Sequence, residues 1–269
     1  MWPKSTEGMS VKTTQGLIEG RQPFGPGLLL HLRWLDFDST CVPGQFFLVR
    51  CTPSSDIWDP YLRRALFPTV IAPQHLALWL PDARDRGLTW LATQPEGTLV
   101  DLLGPGGHGF DLPTSPGNVL ILAQDDGIGP LWPVMQQAIA IGHQVTLAIG
   151  VSHGALAVPL NLVPVAVEYR IATADGSAGV CGNAIALLSG LERWPDRIYA
   201  ALPRKDWPQL RVWIESWRFV LEMGFAQVLV QTDILCGTGA CLACVIERSN
   251  GRLTRTCVHG PVLDLTWLT

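Results

Sequence analysis

The sequence predicts a multidomain fold of the β plus α/β class, and three features lead there. A β-rich stretch runs from Gly16 to Leu112, strands alternating with helices follow it, and a tail beyond Gly224 carries four of the seven cysteines. At 269 residues the chain exceeds what one small core usually organises, so two or three compact units are expected.

From Gly16 to Leu112, runs such as "GLLLHLRWL", "GQFFLVRC" and "LALWL" are separated by proline and glycine and closed by "GTLVDLLGPGGHGFDLP". Short strands at that spacing make a β-barrel or a sandwich. After "PTSPGN" the pattern changes. "NVLILA" reads as a buried strand, "PLWPVMQQAIAIG" as a helix and "QVTLAIGV" as a second strand. "LNLVPVAVEYRIAT" holds a third strand, "AGVCGNAIALLSGL" a helix and "DRIYAAL" a fourth strand. Such alternation implies a parallel sheet of the nucleotide-domain kind, with ligands at the carboxyl ends of its strands. "WPQLRVWIESWRFVLEMG" reads as an amphipathic helix, with Leu210, Trp213, Ile214, Trp217 and Leu221 forming a packing stripe. The tail is short and β-rich.

Composition narrows the function. Hydrophobic residues make up 48% and charged residues 16%, with 27 glycines and 21 prolines, which suits a well-buried globular protein rich in turns. A net charge of -4 and the lack of any Lys/Arg run argue against nucleic acid as a partner. The longest apolar stretches, Val119 to Ala123 and Val145 to Val151, fall far short of the roughly 20 residues of a membrane helix. "MWPKSTEGMS" lacks the apolar core of a secretory signal, so a cytoplasmic location is expected. A reducing compartment turns cysteines away from disulfides and toward metal ligation or burial. Cys41, Cys51 and Cys181 are expected to be buried, inert thiols. The eleven tryptophans are expected to fill core and interface positions. No G-x-S-x-G, H-E-x-x-H or Walker A pattern is present, so hydrolase and NTPase chemistry lack residues, and no catalytic residue is assigned.

The tail "CGTGACLACVIERSNGRLTRTC" places Cys236, Cys241 and Cys244 four and two residues apart, with Cys257 twelve residues further on. That C-x4-C-x2-C…C spacing is the plant-type arrangement for a 2Fe-2S cluster. Gly237 and Gly239 let backbone wrap close to a cluster and aim N–H groups at its sulfurs. Zinc also accepts four thiolates, but its usual pattern is two C-x2-C pairs; unligated or disulfide-paired cysteines are the third reading. His259 is not a ligand on this reading, because a Rieske-type centre needs two histidines. A 2Fe-2S cluster passes single electrons and needs a neighbour to supply them.

With these parts in order, the chain resembles the electron-transfer subunit of NAD-linked dihydroorotate dehydrogenase, a branch of the ferredoxin-reductase superfamily. The likeness runs from about Leu17 to Leu265. It is carried by "PGQFFLVR" (43–50), "LRRALF" (62–67), "GPGGHGFDL" (104–112), "IATADGSAG" (171–179), "CGTGACLAC" and "CVHGPVLDL" (257–265). The resemblance implies an N-terminal flavin-binding β-barrel over residues 1–113, a central NAD-binding-like α/β domain over 114–222 and a C-terminal 2Fe-2S cluster-binding segment over 223–269. It implies FAD and a 2Fe-2S cluster as cofactors. It also implies an FMN-containing dihydroorotate dehydrogenase catalytic subunit as partner, in a heterotetramer serving pyrimidine biosynthesis. The alternatives are a reductase subunit of another oxidoreductase, or a non-enzymatic scaffold that kept the cluster.

Residue by residue, the family's Arg-Pro-x-Ser falls on Arg64, Ala65, Leu66 and Phe67, which keeps the arginine and loses the hydroxyl; Thr69 could replace it if the loop bulges. The family's Gly-Thr pair falls on Leu88 and Thr89. Gly104, Gly107 and Gly109 form the expected flavin-side turn, with His108 facing solvent or bordering the ring. In the nicotinamide phrase Gly127 and Gly129 remain, while Asp125 and Asp126 stand where the family has glycines and the loop is about two residues short. Two unit charges 4 Å apart at an effective dielectric of 20 interact by about 4 kcal/mol, about a thousandfold in affinity. NAD is therefore doubtful. The same two acids would also serve as caps of the following helix, leaving a vestigial site.

Overall fold

The computed structural model describes residues 12–24, 27–35, 40–52, 59–81 and 85–269. Its first unit comprises β1 (Thr13–Phe24), β2 (Gly27–Trp34), β3 (Phe46–Val49), β4 (Arg64–Leu66), β5 (Pro68–Ala72), β6 (His75–Leu80), helix α1 (Arg86–Thr93) and β7 (Leu99–Gly106). The strands form one antiparallel sheet in the order β4-β3-β7-β1-β2-β6-β5. Its two edge strands are separated in sequence by Phe67 alone, so the sheet curls on itself, as the expected barrel requires. Alternation sets which face is inside: Thr14, Gly16 and Ile18 are buried, and Gln15 between them is exposed. Ile18, Leu30, Leu32, Phe47, Leu76, Leu78 and Leu102 fill the interior.

The second unit holds β8 (Asn118–Gln124), α2 (Ile128–Ile141), β9 (Gln144–Val151), β10 (Val167–Thr173), β11 (Val180–Cys181), β12 (Arg197–Ala201), α3 (Trp207–Glu215) and β13 (Ala226–Leu229). The tail adds β14 (Val245–Glu247), β15 (Leu253–Arg255), the single turn α4 (Thr256–His259) and β16 (Val262–Asp264). The second sheet runs β11-β10-β9-β8-β12-β13-β16 and is parallel except for β16, which pairs antiparallel with β13. β8 and β9 are buried almost throughout, as strands covered on both faces must be. Strand order reverses at β8, so the crevice at its carboxyl end is the switch point where this architecture binds ligands. Residues 125–129 lie there. Strands β13 and β16 come from the last stretch of chain and pair into this sheet, while β14 and β15 form a separate hairpin.

Three expectations are corrected. The stretch 178–191 is not a helix: it forms the two-residue strand β11 and a short 3-10 segment, Ala184–Leu188. Gly179 and Gly182 take φ of 62° and 142°, conformations no helix contains. The helix expected over 207–224 ends at Glu215, where the Ser216 hydroxyl donates to the Trp213 carbonyl at 2.6 Å. Within the stripe, Leu210 and Ile214 are buried, and Trp213, Trp217 and Leu221 pack against the same core from its margin. Cys181 is exposed on an edge strand, and Cys41 is only partly covered; Cys51 alone of the three is buried. Burial pushes the Cys41 thiol up to about 12 and the Cys51 thiol to about 11.

The two units share one core. Phe24, Leu29, Ala77 and Trp79 of the first sheet join Ile128, Leu131 and Trp132 of α2 and the β8–β9 face in a single apolar cluster. Phe24 meets Trp132 edge-on at 4.8 Å. Among the described residues, no helix is long and apolar enough to cross a membrane.

Candidate functional site

The tail leaves the second sheet after β13 and folds against the barrel. Gly237 and Gly239 adopt φ of 71° and 77°, and a Cβ on Gly239 would press on Val258 and Arg255. The loop needs both its left-handed turns and its thinness there. Cys244 and Cys257 are buried, Cys236 is partly covered and Cys241 is exposed. Burial pushes the Cys236 thiol up, but the Cys241 N–H, the Thr238 hydroxyl and N–H and the Cys241 thiol outweigh it and bring it down to about 6. Burial pushes the Cys257 thiol up to about 12, helped by the Cys244 thiol hydrogen-bonded to it and opposed by the Gly239 N–H.

The thiols thus stand in two interacting pairs, Cys236 with Cys241 and Cys244 with Cys257, and the charge of Cys236 is felt at Cys257. Among the described residues, no three His, Cys, Asp or Glu side chains converge on one metal point. Thr256 ties the two buried cysteines together: its N–H and hydroxyl donate to the Cys244 carbonyl at 3.1 and 3.2 Å, and its hydroxyl lies 2.6 Å from that of Thr232. His259 sits beside this site, its Nδ1 3.2 Å from the Thr254 hydroxyl. Burial, then Arg255 and His108, hold its imidazole below the usual range.

Cys244 and Cys257 belong to a small apolar cluster with Phe46, Leu48 and Ile234, and Ala65 and Phe67 pack against it. Ala65, Leu66 and Phe67 also line an open cleft between the two units, together with Trp79, Asp126 and Gly129. One short strand end therefore touches both the thiol cluster and the cleft.

The other expected residues have varied places. The Arg64 guanidinium is engaged by Asp85 through Nε at 3.0 Å and Nη2 at 2.9 Å, while Nη1 donates to the Leu62 carbonyl. Leu88 and Thr89 lie on α1, which the sequence reading did not anticipate: Asp85 Oδ1 caps it by accepting from the Leu88 N–H at 2.8 Å, and the Thr89 hydroxyl donates to the Asp85 carbonyl. Gly104, Gly107 and Gly109 do not line the cleft. Gly107, at φ 75°, lies against Gly260 and Pro261, and the His108 N–H donates to the Gly260 carbonyl, so this turn grips the tail. Gly127 precedes α2, buried against Ala201, and Gly129 in its first turn lines the cleft. Thr69 Oγ1 and Trp79 Nε1 are buried without a hydrogen-bond partner. Asp85, Thr256 and Trp79 were missed by sequence reasoning; an Asp three residues before Leu88 was the one readable signal, a helix cap.

The donor chemistry fits an iron-sulfur cluster: four soft sulfurs, backbone N–H groups directed at two of them, and glycines where a Cβ would intrude. The cleft wall, made largely by Ala65, Leu66, Phe67, Pro81 and Leu229, has the apolar character that suits one face of a planar ring. Curled sheet, parallel sheet and thiol tail together define an iron-sulfur protein of ferredoxin-reductase architecture. Residues 231–269 match the iron-sulfur cluster binding domain of dihydroorotate dehydrogenase B. The chain is 31% identical over 225 residues to the dihydroorotate dehydrogenase B (NAD(+)) electron transfer subunit of Geobacillus kaustophilus, covering 82% of this chain and 84% of that one. The Desulforamulus reducens subunit of the same name is 29% identical over 239 residues, 85% and 89% of the two chains. In fold it is similar to a chain of the NADH-dependent reduced ferredoxin-NADP oxidoreductase, with a TM-score of 0.78 and 20% identity over 94% of this chain and 89% of that one. The chain belongs to the family of dihydroorotate dehydrogenase B electron transfer subunits.

Proposed function

We propose that this protein relays electrons between FAD, held in the cleft between its two units, and an FMN-containing dihydroorotate dehydrogenase catalytic subunit. The path runs through a 2Fe-2S cluster on Cys236, Cys241, Cys244 and Cys257, in a heterotetramer that serves pyrimidine biosynthesis. When bound, FAD exchanges electron pairs and the cluster single electrons, so the two together link two-electron to one-electron chemistry. The observation that carries this reading is the double role of residues 65–67, the end of β4 and the residue after it: Ala65 and Phe67 pack against Cys244 and Cys257 and also wall the cleft. A ring resting on Ala65, Leu66 and Phe67 is then one layer of side chains from the thiols.

The chain's own residues divide the work. Ala65, Leu66 and Phe67 present an apolar wall, and the Trp79 ring borders it. Arg64, engaged by Asp85, fixes the start of β4 and with Asp85 anchors α1, which carries Leu88 and Thr89. Gly107 and His108 hold the tail against the barrel, and Thr256 holds Cys244 beside Cys257. Burial of Cys244 and Cys257 keeps water from that side, while exposed Cys241 faces the partner.

The test is anaerobic copurification with the catalytic subunit, followed by iron, sulfide and flavin assay and addition of dihydroorotate. Equal iron and sulfide, about one flavin released from this chain, and bleaching of cluster absorption by dihydroorotate are expected. Zinc without iron, or a cluster that dihydroorotate leaves unreduced, would overturn the reading.

A further inference from the structure

We infer that the start of α2, where this architecture receives the pyrophosphate of a nicotinamide dinucleotide, refuses NAD(H), because Asp125 and Asp126 set two carboxylates there and Trp79 covers its first turn. The inference goes beyond the electron relay between flavin and cluster and concerns the nicotinamide nucleotide alone.

Four observations converge. β8 ends at Gln124, and Asp125 turns the chain at φ 49°, a left-handed conformation, with its carboxylate accepting from Gln124 Nε2 at 3.1 Å. Asp126 follows, an exposed residue at the rim of the cleft; desolvation of its carboxyl, then the charge of Asp125, holds it above the usual range. A pyrophosphate placed at the start of α2 would meet these two acids.

Two of the four positions in the first turn of the helix offer no free donor. Anion binding at a helix start depends on free backbone N–H groups in the first turn. The Ile128 N–H is directed to the Asp126 carbonyl, and Pro130 has no N–H. Access is closed as well: a Cβ on Gly129 would run into the Trp79 ring, so that ring already lies on the turn a nucleotide backbone would approach. Charge, missing donors and occupied space act in the same direction.

The test uses the full chain with its cluster, in complex with the catalytic subunit, titrated with NADH and with NAD(+) by calorimetry. Iron content and circular dichroism serve as controls that do not depend on nucleotide. The parent protein is expected to show no saturable binding, that is, a Kd weaker than about 1 mM. Asp125→Gly with Asp126→Gly, which suits the left-handed turn, and the isosteric pair Asp125→Asn with Asp126→Asn should each tighten NADH binding at least tenfold. Micromolar binding by the parent, or no gain in either double variant, would overturn the inference. Loss of the cluster in the parent would instead count against the proposed relay and leaves the nucleotide titration readable.

Discussion

Cys241 is the exposed member of the four thiols, and both its N–H and its sulfur act on Cys236, so it is the ligand whose removal disturbs the core least. Cys241→Ser should lose iron while the far-UV circular dichroism of the two sheets is kept; unchanged iron content refutes its role as a ligand. Asp85 does two things at one position, capping α1 and pairing with Arg64. Asp85→Ala should cost about 1–2 kcal/mol, roughly a cap plus a partly screened ion pair, read as a lowered urea midpoint. Burial opposes its ionisation, but Arg64 and the Leu88 N–H outweigh it and hold the carboxyl below the usual range. That stability is therefore complete above the unfolded carboxylate value and fades as pH falls through the lower folded one. Asp126 has the opposite sign: with its carboxyl raised, its charge weighs against the fold once pH exceeds the ordinary carboxylate range. A stability-versus-pH curve that Asp85→Ala leaves unchanged at its acid end would refute the first of these assignments.

At the scale of elements, what was legible followed from periodicity. β2, β8, β9 and β12 are continuous apolar or alternating runs, and each lies where its pattern put it. The stretch 178–191 misled because its Ala, Ile and Leu content is helical while its fold is decided by Gly179, whose backbone must pass the Ile171 carbonyl too closely for any Cβ. α1 escaped because its signal is a single capping aspartate before a short, partly buried turn. The thiol spacing located the tail, but nothing local showed that Gly107 and His108, some 150 residues earlier, would pair with 260–262, since that contact is made by topology. Gly107→Ala tests it. A Cβ in the left-handed region costs about 1–2 kcal/mol, and here it would also strike Gly260 and Pro261. Both a lowered urea midpoint and faster iron loss are expected; unchanged iron retention would detach this turn from the cluster's support.

Across the whole molecule, the tail is two things at once, part of a sheet and a loop around sulfur. Ala226, Val228, Leu229, Val262 and Leu263 are buried in the cores of the second unit, and β13 hydrogen-bonds to both β12 and β16. Between them, Leu235, Thr238, Ala240, Cys241, Leu242 and Ala243 are exposed, so residues 235–243 lack the apolar burial that would order them on their own. Cluster binding is expected to supply that order, as metal binding does for small thiolate sites. Removing iron from the full chain with a chelator under reducing conditions should therefore speed amide hydrogen exchange across 235–243 and leave β13 and β16 protected. If exchange instead rises together in β12, β13 and β16, the sheet depends on the cluster and the division drawn from burial is wrong. If it rises nowhere, the loop's left-handed glycines and the Thr256 bonds to Cys244 hold it without metal, and iron adds redox chemistry but no structure.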